Sequence, residues 1–375
     1  MAHAYTPGLK VLHETIIHKE RRLPLKGIVL VENGKEVTPD DIVAKTDLPG
    51  NVQMVNVANQ LNIDTEDVND AMITKEGTAV SKGKMIAETK GLFGLFKTNV
   101  TAPVDGTIEV ISDTTGQVVI RESPIPVEID AYMSGFIKEV IPEEGVIIES
   151  EGVFIQGIFG IAGESRGELS VIVDSRETEI TEDMITPDCK GKIVVGGSFI
   201  SLKAYKKAIQ LKVAGVVVGG FNYFDLEDIL GYTLGVAITG SEDLITSLIL
   251  TEGYGKIRMG TQTFDLLKHH HGKFASMNGA TQIRAGVIRP EIVIPLTKDQ
   301  LKGDHKDSDA SEGIQAGSLV RVIRAPYFGR MGKVIDLPSE LRKMESETMV
   351  RVAIIEIDGE NIEIPRANLE MVEID

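Results

Sequence analysis

The stretch GTIEVISDTTGQVVI (106–120) lies without gaps on GFIKEVIPEEGVIIE (135–149). In both, two glycines stand ten apart, an isoleucine follows the first by two residues, and a Val/Ile pair comes shortly after the second. A strand, a tight turn that uses glycine and a second strand give that pattern, so it predicts a repeated hairpin. Two upstream stretches, GTAVSKGKMIAE (77–88) and GIVLVENGKEV (27–37), carry a similar turn-and-strand signature. Residues 25–164 are therefore expected to form one β domain of short Val/Ile strands broken by Gly and Pro, preceded by an N-terminal segment, 1–24.

TAPVDGTIEVI (101–111), after VSKGKMIAE (80–88), resembles the barrel-sandwich hybrid fold of biotinyl and lipoyl carrier domains. The resemblance implies an exposed hairpin on which a carrier presents its acceptor lysine, between two methionines or in an Asp-Lys-Ala context. Here the connecting segment is TKGLFGLFKTNV (89–100), and neither Lys90 nor Lys97 has such a flank. No biotinyl or lipoyl cofactor is expected, and the apolar loop 92–96 is expected to dock on a neighbour.

Further on, strand and helix patterns alternate. KIVVGG (192–197) and GVVVGG (215–220) read as buried strands, and VAITG (236–240) as a third. SLKAYKKAIQLKVAG (201–215) sets Leu202, Tyr205, Ile209 and Val213 on one helical face, with Gly215 as the stop. SEDLITSLILTEGYG (241–255) reads as a second helix, with Ser241 at its N-cap, Glu242 and Asp243 in its first turn and Gly253 at its end. Strand–helix–strand repetition implies parallel pairing. Residues 165–297, from KGKIVVGG through AIQLKVAGVVVGG, look like a swivelling or protease-associated α/β domain with trailing strands.

KDQLKGDHKDSDASEG (298–313) is polar and nearly free of large apolar groups, and reads as a flexible linker. In the remainder, 314–375, SLVRVIRAPYFGRMGKVIDLP (318–338) places Val320, Val322 and Val334 on one face around a glycine-containing turn. That stretch resembles the KOW motif of NusG-type elongation factors and ribosomal proteins, which implies an SH3-like barrel. RVAIIEIDGENIEIPRANLEMVE (351–373) supplies later strands with an Asp-Gly turn at 358–359. The expected fold class is thus a multidomain β-rich α+β chain: a barrel-sandwich hybrid, a small α/β domain with a parallel sheet, and a C-terminal SH3-like β-barrel.

A chain of 375 residues exceeds what one core usually supports. Its net charge of −17 makes it an acidic protein, with no general attraction to nucleic acid or anionic lipid. Cys189 is the single cysteine, which excludes an internal disulfide and a cysteine-based zinc site. No apolar run is long enough to span a bilayer, and the first residues lack a signal-peptide core, so a cytoplasmic location without membrane attachment is expected.

The motifs that carry chemistry each have a plainer reading. GESRG (163–167) matches the nucleophile-elbow pattern around Ser165, but ELSVIVDS follows as a strand, and a turn between strands is expected instead. His269, His270 and His271 are adjacent, point apart on a helix, and are expected at a solvated helix end, not on a metal. Gly196, Gly197, Gly219 and Gly220 end strands and can cradle an anion or serve close packing. Arg284 and Arg289 sit between apolar residues and are further anion candidates, or are paired with acids. In the head, Arg321, Arg324, Arg330 and Lys333 lie beside Tyr327 and Phe328. Cations next to aromatics can grip RNA phosphates and stack on bases, or dock on an acidic protein face.

No catalytic constellation, metal site or cofactor is expected. The leading reading is a non-catalytic scaffold or adaptor working through protein–protein interaction. The alternatives are a transcription or translation factor touching RNA, RNA polymerase or the ribosome through the KOW-like module, and an enzyme or small-molecule binder using the α/β lobe. Self-association into a homo-oligomer is left open.

Overall fold

The computed structural model describes residues 9–89, 97–232, 239–242, 244–282, 288–297, 314, 316–322, 324, 326, 327, 330–338, 341–343 and 349–373. Among these the chain is a β-rich α+β protein with several sheets. No described helix is long and apolar enough to cross a membrane. The linker 298–313 lies outside the described residues.

The body is built on the strand Leu9–Arg22, which runs antiparallel to Gly145–Gln156 from Val11↔Ile155 to Arg22↔Gly145. Gly145–Gln156 pairs in turn with Gly135–Ile141 and with Glu291–Pro295. Side chains alternate across these strands, so Ile17, Ile137, Val146, Ile148 and Val293 meet Val43, Tyr132 and Met133 in one buried cluster. The N-terminal segment, to which the sequence assigns no element, thus contains a strand of fourteen residues.

The sequence repeat is a repeated hairpin. Gly106–Ser112 pairs with Gln117–Arg121, as Gly135–Ile141 pairs with the start of Gly145–Gln156. Both hairpins bulge at the equivalent residue. The register steps over Glu109, between Ile108↔Ile120 and Val110↔Val119, and over Lys138, between Ile137↔Ile148 and Glu139↔Ile147. Gly106 and Gly135 press on the partner strand, where a Cβ would stand 2.4 Å from the Arg121 carbonyl and 2.3 Å from that of Glu149. The ungapped alignment needs one correction. It sets Ile120 on Glu149, but the pairing sets Ile120 on Ile148, because the turn 142–144 is one residue shorter than 113–116.

The repeat extends upstream in a register that the sequence reading does not reach: residues 31–46 match 74–89. The N–H groups of Gly34 and Gly77 donate to the carbonyls of Ile137 and Ile108, both at 2.7 Å. Val37 and Val80 lie opposite Gly135 and Gly106. The side chains of Asn33 and Glu76 accept from the N–H of Val140 and Ile111, again both at 2.7 Å. Val43 and Ala44 are buried in one unit as Ile86 and Ala87 are in the other.

The chain therefore holds two copies of one unit, and they are nested. In the first copy, Ile42–Leu48 pairs with Ile125–Asp130, and residues 51–122 leave and re-enter between them. The equivalent strands of the second copy, Met85–Glu88 and Asn99–Thr101, pair directly. At the neck, Glu122 N–H donates to the Asn51 carbonyl at 2.9 Å, and a Cβ on Gly50 would stand 2.0 Å from the Glu122 carbonyl. Residues 25–164 thus carry two separate cores, the second made of residues from Val55 to Ile120.

In the middle region Glu164–Val171, Ile193–Val195, Gly215–Phe221 and Ser247–Tyr254 lie parallel in that order, with Phe159–Ile161 antiparallel beside the last. The helix Leu202–Gln210 starts at Ser201, whose hydroxyl accepts from Ala204 N–H, and buries Ala204, Tyr205 and Ala208. It ends before Gly215, which opens the next strand. A Cβ at Gly215 would stand 2.1 Å from the Met277 sulfur. The helix expected over 241–255 is instead the strand Ser247–Tyr254. Leu248, Ile249, Leu250 and Thr251 are all buried, which a central strand achieves by packing both faces and an amphipathic helix does not. Glu242, read as a first-turn acid, accepts from the N–H groups of Gly240 and Ala162. Of the strand expected at 236–240, residues 236–238 lie outside the described residues. GESRG is no turn either: Ser165 stands within Glu164–Val171, opposite Met277.

The head is an antiparallel set in the order Leu369–Glu373, Leu319–Val322, Met331–Asp336, Met349–Ile357 and Glu360–Pro365. Val320, Val322 and Val334 share its core with Ala353, Ile355 and Ile364. Asp358 and Gly359 take φ of +54° and +86°, the geometry of a two-residue hairpin turn. The described pairings do not close this sheet into a barrel. The head joins the body where Leu9 and Lys10 run parallel to Val372 and Glu373.

Two separate cores predict two separable stabilities. Ile108→Ala, which hollows the nested copy, is expected to cost about 2–5 kcal/mol there. Hydrogen exchange should accelerate across 52–121 and stay slow in Leu9–Arg22 and Gly145–Gln156. Uniform acceleration would refute the separation.

Candidate functional site

A cavity of about 610 Å³ opens where the lobe, the strand Leu9–Arg22 and the head meet. One wall comes from the carboxyl ends of the parallel strands, with Thr251 and Glu252 near the end of Ser247–Tyr254 and Arg176 beyond Glu164–Val171. Ligand crevices of open α/β sheets lie at such ends. The loop 257–260 and the first turn of the helix Thr261–His269 continue that wall. The opposite wall is the head, through Leu319, Arg321, Arg330, Met331 and Asp358.

Glu252 and Arg321 form an ion pair across the two walls, with side chains only 6% and 9% exposed. The other Glu252 oxygen accepts from Gly260 N–H at 2.9 Å, at the start of the helix Thr261–His269. A buried carboxylate is tolerated only when it is paired and hydrogen-bonded, and here it has a guanidinium and a helix-start amide.

The strand-end glycines build this site from behind. A Cβ on Gly197 would stand 2.6 Å from the carbonyls of Ser175 and Thr178, and on Gly196 2.5 Å from the Ile180 side chain. On Gly219 it would stand 2.0 Å from the Ile257 carbonyl, and on Gly220 2.1 Å from that of Gly255. The four glycines therefore serve close packing. They let the loops around 176 and 258 approach the sheet, and those loops bring Arg176 and Arg258 into the cavity lining.

The basic cluster of the head divides. Arg321 turns inward to Glu252, and Arg330 pairs with Asp358 at the surface, where both are exposed. Arg324 and Lys333 are exposed, and Tyr327 packs half-buried against the head core. Phe328 lies outside the described residues, as do Arg284 and Lys90. Arg289 is half-buried beside Glu291–Pro295 and does not line the cavity. Lys97 is ion-paired with Glu88 at 3.3 Å. Sequence reasoning missed Arg176, Glu252 and Arg258. The last stands just ahead of GTQTF, a readable helix start, whereas Glu252 was hidden by the helical reading of 241–255.

The histidines do close the helix Thr261–His269, with His269 and His271 exposed, but the middle one is not solvated. His270 is buried, its ring edge-on to His269, and His271 Nδ1 accepts from Val171 N–H at 3.0 Å. Burial, reinforced by His269, Lys273 and His13, pushes the His270 imidazole down to about 4. Among the described residues no three His, Cys, Asp or Glu side chains are placed to hold a metal ion. The Ser165 hydroxyl is buried with no hydrogen-bond partner among the described residues. No protein-family model matches the chain, and no curated protein matches it.

Two measurements follow from these environments. Arg321→Ala leaves Glu252 buried without its guanidinium and is expected to lower stability by about 3–5 kcal/mol, while joint replacement of Arg321 and Glu252 by Met recovers most of it. Urea midpoints decide this, and equal losses in both variants would contradict it. His270 is held neutral in the fold, so its contribution is complete above its ordinary value of 6.5 and is lost as pH falls from there through about 4. His270→Asn should flatten the midpoint across that window, and an unchanged slope would remove His270 as its source.

Proposed function

We propose that the chain is a non-catalytic adaptor that holds protein partners. In this reading residues 25–164 are two barrel-sandwich hybrid units, one inside the other; 165–297 is a swivelling-type α/β lobe, and 314–375 a KOW-type SH3-like head. The observation that carries it is the outer face of the nested copy. Met54, Val119 and Val110 lie side by side across three strands, with Met54 69% and Val110 44% exposed. Apolar side chains in a row, on a unit held by one neck, suit a protein surface better than they suit water. The nucleic-acid reading has less to draw on, since Arg321 and Arg330 are engaged by carboxylates and Arg324 and Lys333 remain. A small-molecule binder using the lobe is the second reading, favoured by the cavity at the carboxyl ends of the parallel strands.

The adaptor reading is tested by capture from the native cell with the intact chain and with Met54→Glu combined with Val110→Glu. Partner proteins should be retained by the first and lost by the second, with the thermal midpoint unchanged. Retention of the same proteins by both would sink it.

A further inference from the structure

We propose that the cavity between lobe and head binds a small phosphate-bearing organic molecule, which clamps the head onto the body. The inference takes the small-molecule reading of the lobe further and is independent of the adaptor surface. Its first support is charge. In a chain of net charge −17, the described residues lining this cavity include four arginines against two carboxylates. Both carboxylates are already engaged, Glu252 by Arg321 and the Gly260 N–H, and Asp358 by Arg330.

Its second support is the state of the lobe's cations. The Arg258 guanidinium is exposed and forms no ion pair among the described residues, although the field of Glu177 reaches it. Arg176 is held in place by donating to the Met259 carbonyl at 3.2 Å and is ion-paired with the exposed Glu177 at 3.3 Å, which leaves Arg258 as the lining arginine without an ion pair among the described residues. Guanidinium groups match phosphate oxygens in geometry, and the buried Thr263 side chain adds a hydroxyl to the lining beside the helix start.

Its third support is the rest of the lining. Leu9, Val11, Ile257, Leu319 and Met331 give apolar surface for the body of a ligand, and about 610 Å³ suits a molecule larger than an inorganic ion. Arg330 and Met331 belong to the head, and Arg176 and Arg258 to the lobe, so one ligand touches both units.

The test is calorimetric titration of the full chain with phenyl phosphate, and with benzyl alcohol as a neutral probe of similar shape. Phenyl phosphate should bind saturably and slow hydrogen exchange in Leu319–Val322, with benzyl alcohol far weaker. Arg258→Ala, an exposed position, should weaken phenyl phosphate about tenfold or more, the loss of one charge-assisted hydrogen bond. Lys138→Ala, on the distant hairpin, should leave it unchanged. Equal binding of both probes, or equal loss in the two variants, would overturn the phosphate assignment while the small-molecule reading stands. No binding of either probe would overturn both.

Discussion

One buried ion pair organises the meeting of the units. Glu252 stands near the end of a central strand of the lobe, and Arg321 on the first strand of the head. Neither charge could remain at that depth alone, because losing water costs several kcal/mol per ion unless partners replace it. Each unit therefore buries a charge that the other neutralises. The pair adds little net stability compared with an apolar contact, but it fixes which surfaces meet. The Gly260 amide completes the arrangement by tying Glu252 to the start of the helix Thr261–His269. The cavity is what remains around this contact once the strands on either side have met.

A second constraint runs through the β half: the approach of one backbone to another where no side chain fits. Gly106 and Gly135 do this in the two hairpins, and Gly219 and Gly220 in the lobe. At each, the missing Cβ sets how closely a neighbouring segment lies, and so where that segment's side chains end up. The placement of Arg258 is a result of this packing, since Gly219 lets the carbonyl of the preceding Ile257 lie against its strand. Glycine thus contributes to the candidate site through geometry, with no ligand of its own.

The hairpin repeat was legible because its glycines and isoleucines keep a fixed spacing, and the Asp-Gly turn of the head because few residues tolerate two successive positive φ values. The lobe strands Ile193–Val195 and Gly215–Phe221 were legible as apolar runs. Ser247–Tyr254 was not, since a fully buried strand after Ser-Glu-Asp has the same pattern as a capped helix. The upstream half was legible only as a turn-and-strand signature, because its true register shares few residues, Gly34, Val37, Ala44 and Thr46 with Gly77, Val80, Ala87 and Thr89, while Asn33 in one copy and Glu76 in the other make the same contact with different chemistry. The ion pair joining residues 252 and 321 has no local signal at all: each residue alone reads as an ordinary charge.

The neck at Gly50 and Glu122 has a topological consequence. Leu48 and Ile125 are register partners, so the chain departs from the first copy and returns to it at one point. A short turn could bridge that gap with no strand of the body displaced. The nested unit is in this sense a cassette, exchangeable or removable without altering the order of the framework that carries it. Because closing a loop depends only weakly on its length, the framework is nearly indifferent to how much chain is stored there. Change in the cassette and change in the framework can therefore proceed on separate histories, though one continuous chain encodes both.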